Sequence, residues 1–135
     1  MQFTCRRILG RGPPHHFVYD TATGTGALAS ETTGDNNTAD GYKALTLNTT
    51  SEYNTATGSL ALLANVSGTE NTASGYGALN DTTGDFNTAA GALAGQNNGG
   101  GSYDTFLGTN ADAGFSGLTN ATAIGANARW ARATL

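Results

Sequence analysis

Few side chains in this 135-residue sequence have the types and spacings that support chemistry. His15 and His16 follow Pro13-Pro14 and offer imidazole nitrogens to a metal. A structural zinc needs four converging ligands, but no Cys partner is spaced to join them and the nearest carboxylate is Asp20, so the pair reads as a solvated turn. A Ser-His-Asp set cannot be proposed, because these are the only two histidines and both lie in an irregular leader. Gly24-Thr25-Gly26 and Gly99-Gly100-Gly101 are glycine-rich, yet a phosphate cradle requires a strand, a loop and a helix, with a Lys in the P-loop case. Neither helix nor Lys follows, and the glycines read as turn features. The expectation is a non-enzymatic protein with no cofactor.

Four carboxylates raise a calcium question. Asp35, Glu52 and Asp85 each stand two residues before a column of Asn residues, with Glu70 one residue later. Stacked on neighbouring rungs, such carboxylates repel one another unless they are solvated or bridged by calcium, which takes several oxygen ligands. Solvation is the plainer reading, since the regular Asp of glycine-rich calcium-binding nonapeptides is missing. These four are the weak metal candidates.

The element that positions all of these is a repeat. Gly24, Gly41, Gly58, Gly75, Gly91, Gly108 and Gly125 are separated by 17 residues, except for one interval of 16. Three residues before each glycine stands Thr21, Thr38, Thr55, Thr72, Thr88, Thr105 or Thr122; three residues after stands Ala27, Ala44, Ala61, Ala78, Ala94, Ala111 or Ala128. Such self-similarity marks a solenoid. Asp20, Asn37, Asn54, Asn71, Asn87 and Asp104 precede the threonines, and stacked Asn side chains can form amide ladders. Behind the alanines sit Leu28, Leu45, Leu62 and Leu79, giving way to Gly95, Asp112 and Arg129.

Alternation along Thr-Ala-x-Gly puts Ala22, Ala39, Ala56, Ala73, Ala89 and Ala123 on one side of a strand. The threonines share the other side with Thr23, Asp40, Thr57, Ser74, Ala90, Leu107 and Ile124, a column polar early and apolar late. The inward face is therefore expected to change along the stack or to be shared with another chain. Gly34, Gly68, Gly84 and Gly101 recur in the variable turns and are expected at φ > 0. The short interval is expected to lose its residue before Thr82. Tyr19, Tyr53, Phe86 and Tyr103 share an aromatic place, and sequons at Asn36, Asn48, Asn65, Asn80 and Asn120 would put sugars on turns.

Composition agrees. Hydrophobic residues are 38% of the chain but consist largely of Ala, and charged residues are only 12%. All ten acids lie between Asp20 and Asp112, where Lys43 is the one base; Arg6, Arg7, Arg11, Arg129 and Arg132 lie outside. An acidic middle argues against nucleic acid, which calls for a basic stripe. Cys5 is the single cysteine, which excludes an intrachain disulfide. Met1 to Arg7 is basic, but Ile8 to Pro14 offers no apolar run for a signal peptide, and no stretch reaches membrane-spanning length.

The last copy, Ala121-Thr122-Ala123-Ile124-Gly125-Ala126-Asn127-Ala128, resembles the Ala-Ile-Gly-x-x-Ala signature of head repeats in trimeric autotransporter adhesins, the YadA-like heads. Earlier copies such as Asn71-Thr72-Ala73-Ser74-Gly75-Tyr76-Gly77-Ala78-Leu79 resemble a longer variant in related surface and tail-fibre proteins. The resemblance covers roughly residues 20 to 128. It implies a left-handed parallel β-roll, three chains about one axis, an extracellular or cell-surface location and a head that binds host or matrix surfaces.

The expectation is thus an all-β chain: an irregular leader or cap at 1–19, a parallel β-solenoid of seven 17-residue coils at 20–128, and a tail at 129–135. Its thin, Ala-filled interior predicts self-association, with a homotrimer implied by the resemblance. Attachment to a surface is the leading function. A structural spacer or filament subunit is one alternative. Ice binding is another, through the threonine ladder whose paired form occurs at Thr21-Ala22-Thr23 and Thr55-Ala56-Thr57.

Overall fold

The computed structural model describes residues 19–130, in which there is no helix. Strands β1 (Thr21–Thr23), β2 (Thr38–Asp40), β3 (Thr55–Thr57), β4 (Thr72–Ser74), β5 (Thr88–Ala90) and β6 (Thr105–Leu107) pair in parallel in that order. After the short β7 (Asp112–Ala113), β8 (Thr122–Ile124) closes the seven-stranded sheet beside β6. Register is one repeat per rung, Thr21 opposite Thr38, Thr38 opposite Thr55, and so on to Thr105 opposite Thr122. The chain is a parallel β-solenoid. β9 (Arg129–Trp130) pairs with β7, so ordered coil runs past residue 128.

Each strand of the seven-stranded sheet stops after three residues because a glycine follows in a conformation that L-residues rarely adopt, φ 114 at Gly24 and 145 at Gly41. Space imposes the same choice. A Cβ on Gly24 would lie 2.5 Å from the Gly41 carbonyl oxygen of the next rung, and one on Gly58 would lie 2.6 Å from that of Gly75. Backbone angle and rung spacing both require glycine from Gly24 to Gly108, and backbone angle alone does so at Gly125 (φ 117), which accounts for the column having no exception.

The inward face does not change along the stack. Ala39, Ala56, Ala73, Ala89, Phe106 and Ala123 are buried on every rung after the first, while the flanking positions of the same strands point outward. The expected switch of faces is overturned, because the late apolar residues Leu107 and Ile124 keep the outward register of the polar residues before them. Facing the alanine column are Leu28, Leu45, Leu62 and Leu79, all buried, all at φ 48 to 50. Left-handed backbone at a leucine costs about 1–3 kcal/mol. Burying the side chain returns roughly 1.5–3 kcal/mol, and each leucine N–H also donates to an alanine carbonyl one rung on, as Leu45 does to Ala61 at 3.1 Å.

Asparagine supplies the rest of the interior. The side-chain oxygen of Asn37 accepts the N–H of Asn54 (3.0 Å), Asn54 that of Asn71 (3.0 Å), Asn71 that of Asn87 (2.9 Å), and Asn87 that of Asp104 (3.0 Å). Asp20 begins the ladder by accepting from Asn37, and Asp104 ends it by accepting from Ala121. The Nδ2 groups donate to the corner carbonyls of Ser51, Gly68, Gly84 and Gly101 at 2.8 to 2.9 Å. Along Asn37, Asn54, Asn71 and Asn87 the narrow coil thus buries polar side chains with both amide groups hydrogen-bonded.

Two turn expectations are corrected. Gly34, Gly68, Gly84 and Gly101 do not have positive φ; crowding selects them, since a Cβ on Gly68 would lie 2.5 Å from Asn65 Oδ1 and 2.7 Å from Asn71 Nδ2. The missing residue falls after Thr82, not before it. The Thr82 N–H bonds to Leu79 as that of Asn65 does to Leu62, so Thr82 holds the Asn65 position and the shortening lies between Thr82 and Gly84.

Candidate contact surface

Two surfaces follow from this frame. The first is the outward face of the sheet, with two parallel columns set by strand alternation. One is threonine throughout, exposed on every rung except the half-buried Thr105. The other runs Thr23, Asp40, Thr57, Ser74, Ala90, Leu107, Ile124, all exposed. Paired registers place Ala90 beside Leu107 and Leu107 beside Ile124, so the last three rungs form a continuous apolar row on a rigid support. Ile124 is 67% exposed.

The second surface is an edge of aromatic side chains. Tyr19, Tyr53, Phe86 and Tyr103 are all exposed, and the Phe86 and Tyr103 rings stack on adjacent rungs with centroids 4.8 Å apart and planes 10° from parallel. Their separation is the rung spacing itself, about 4.8 Å in a parallel sheet. Tyr53, Phe86 and Tyr103 sit at φ 59 to 61, with Asn36, Glu70 and Asn120 in the same column at 55 to 59. That left-handed bend turns each side chain away from the coil.

The calcium candidates lie beside this edge, and the carboxylates of Asp35 and Asp85 serve the backbone. Asp35 Oδ1 accepts the N–H groups of Tyr19 (2.6 Å) and Asn36 (2.8 Å). Asp85 Oδ1 accepts the N–H and hydroxyl of Thr69, at 2.8 and 3.3 Å. Glu52 and Glu70 meet through the main chain, Glu70 N–H donating to the Glu52 carbonyl at 3.2 Å. Among the described residues no three His, Cys, Asp or Glu converge on one point. The carboxylates of Asp35 and Asp85 reach back one rung to hold the preceding turn. His15, His16, Cys5 and the N-terminal arginines lie outside the described residues.

Two features were hidden in the variable turns. Glu31, Asn48, Asn65, Thr82 and Asn98 form a second interior column three residues behind the leucines. Asn48 Nδ2 donates to Glu31 Oε2 at 2.5 Å and Asn65 Nδ2 to the Gly68 carbonyl at 2.8 Å. The constant spacing Leu45 to Asn48 and Leu62 to Asn65 was the available signal. Burial raises the Glu31 carboxyl above its ordinary range, opposed by Asn48 and helped by the charge of Asp20. The second feature concerns glycosylation: Asn48 and Asn65 are fully buried, so these two sequons cannot carry sugar on the folded coil.

Both surfaces present groups that can make contacts. Within the described residues, Asp104 and Asp112 are buried while the other acids are at least partly exposed, Lys43 rests its Nζ 5.3 Å from the Tyr42 ring, and no helix is long and apolar enough to cross a membrane. No protein-family model, curated protein or solved structure matches this chain.

Proposed function

We propose that this chain is a non-enzymatic, surface-presenting β-roll module of adhesin-head type, acting outside the cell or at its surface to attach to a host, matrix or cell surface. The observation that carries the reading is the apolar row Ala90, Leu107 and Ile124 on the outward sheet face. Contiguous apolar surface on a rigid sheet marks a place where another chain packs. A homotrimer packed through this face would leave the aromatic edge outside for the partner. The likeness of residues 121 to 128 to adhesin head repeats supports the same arrangement. Retention of the labelled full chain on fixed animal cells and on plates coated with matrix proteins tests the function; binding no greater than to a bare blocked plate would overturn it.

A second reading, ice binding, draws on the exposed pairs Thr21/Thr23 and Thr55/Thr57, which lie on one sheet face at two-residue spacing. Asp40, Leu107 and Ile124 interrupt that pattern on the same face. Thermal hysteresis at millimolar protein is its test, and freezing behaviour equal to that of an inert protein removes it.

A further inference from the structure

The solenoid surface is ridged by columns of side chains, and one column has a gap. The second residue after each conserved glycine is Gly26, Lys43, Leu60, Gly77, Leu93, Asn110 and Asn127, and every one has positive φ, between 54 and 77. The backbone at Gly77 (φ 60) is therefore the one that Leu60 (φ 61) and Leu93 (φ 58) already adopt. A side chain is missing there although the conformation accepts one. A Cβ there would lie 2.9 Å from Leu93 Cδ2, so the flexible end of Leu93 leans over the position, and beside it a hollow of about 200 Å³ opens between Leu60 on one rung and Leu93 on the rung two along.

The groups around the hollow define what fits. Leu60, Leu93 and the ring of the exposed Tyr76 supply apolar walls, and Gly77 is the floor. Asp81 and Gln96 stand at the rim with Asn80 and Asn97. The floor's own backbone is committed, Gly77 N–H to the Ser59 carbonyl (2.9 Å) and Leu93 N–H to that of Tyr76 (2.7 Å). Asn80 Nδ2 is held by the Leu60 carbonyl at 3.2 Å and Asn97 Nδ2 by Asp112 Oδ2 at 2.7 Å. What faces outward is a carboxylate and a mixed donor and acceptor amide beside an apolar wall. No Lys or Arg lines the hollow, which disfavours phosphate, sulfate and carboxylate ligands. The volume is below the roughly 300 Å³ at which drug-sized pockets begin, so one ring fills it.

We infer that this hollow is a carbohydrate subsite that takes a single neutral pyranose ring of a surface glycan. A pyranose presents C–H patches on one side and hydroxyls around its rim. Leu60, Leu93 and Tyr76 meet the first; Asp81 accepts and Gln96 both donates and accepts at the second. The inference deepens the proposed attachment role and rests on it, since a one-ring subsite is useful when many copies meet a glycan-coated surface.

The test is titration of the ¹⁵N-labelled full chain with glucose, galactose, mannose and N-acetylglucosamine at up to tens of millimolar, with glucuronate as the charged control. Saturating amide shifts confined to the turns around 76–81 and 93–97 are expected for at least one neutral sugar, and none for glucuronate. Gly77→Leu fills the gap with the residue that the neighbouring rungs carry, and abolishes the shifts. Asp81→Ala, at an exposed position, weakens binding by roughly tenfold, the loss of one hydrogen bond to a charged acceptor, and stands in if Gly77→Leu does not fold. Absence of saturation with every neutral sugar, or equal affinity in both variants, would overturn the subsite. Normal cell and matrix retention alongside that result would leave the attachment role standing.

Discussion

Phe106 occupies the interior space that Gly95 leaves empty. A Cβ on Gly95 would lie 2.5 Å from Phe106 Cδ2 and 2.7 Å from Leu79 Cδ2. Gly95 belongs to the column of Leu28, Leu45, Leu62 and Leu79, and Phe106 to the column of buried alanines, so the coil exchanges a leucine and an alanine for a glycine and a phenylalanine on successive rungs. Core volume is conserved across the swap, as close packing requires.

The pair predicts a coupled mutant cycle. Gly95→Leu alone overpacks and costs about 1–3 kcal/mol, and Phe106→Ala alone empties the site and costs about 3–5 kcal/mol. Their combination recreates the Leu79-type rung and recovers most of both losses, because Gly95 at φ 64 already lies in the left-handed region of the leucines. Urea unfolding of the four proteins measures the coupling; strictly additive losses would contradict this packing.

The asparagine ladder predicts a contrast between neighbours. Asn71→Leu strands the Asn87 N–H and the Gly84 carbonyl, now bonded at 2.9 and 2.8 Å. At about 1–3 kcal/mol for each buried unpaired group, the loss is a large part of a domain's roughly 5–15 kcal/mol. Thr72→Ala, next along the chain but exposed, should stay within about 0.5 kcal/mol. Equal urea midpoints for the two variants would refute the ladder's role.

Asp104 predicts a pH effect of definite sign. It stands where the four preceding rungs of the ladder have Asn; Oδ1 accepts the Ala121 N–H at 2.6 Å, while Oδ2 and the neighbouring Asn98 Oδ1 are buried without hydrogen-bond partners. Burial raises its carboxyl above the ordinary 3.8, against the opposing pull of the Ala121 N–H and the Asn98 side chain. The folded state therefore holds the proton more tightly than the unfolded state. Its contribution is fully present below the ordinary aspartate value and is lost as pH rises through the raised one. Asp104→Asn should be more stable than the wild type at neutral pH, with the difference shrinking on acidification. Glu31, raised for the same first cause, leaves a residual slope of the same sign. Unfolding midpoints measured across acidic to neutral pH check this, and identical profiles would refute it.

The solenoid and its register were legible because the Thr, Gly and Ala columns hold fixed spacing through every copy. The Asn ladder was legible too, since Asn37, Asn54, Asn71 and Asn87 fall just before the strands. The inward face was not, because Thr-Ala-Thr offers no large apolar residue to mark it and Leu107 and Ile124 point the wrong way for a simple pattern. Sequence also cannot separate a glycine chosen for backbone angle, such as Gly41, from one chosen for crowding, such as Gly68. The hollow at Gly77 was invisible for a related reason: its walls come from Leu60 and Leu93, which only coiling brings together.

The most direct test of the account is the solution mass of the full chain, by light scattering during size-exclusion chromatography at micromolar concentration. The wild type is predicted to elute at three chain masses, and Leu107→Asp/Ile124→Asp at one, with an unchanged β circular dichroism spectrum. A well-folded wild-type monomer, or a variant that assembles as the wild type does, would contradict packing through the outward sheet face.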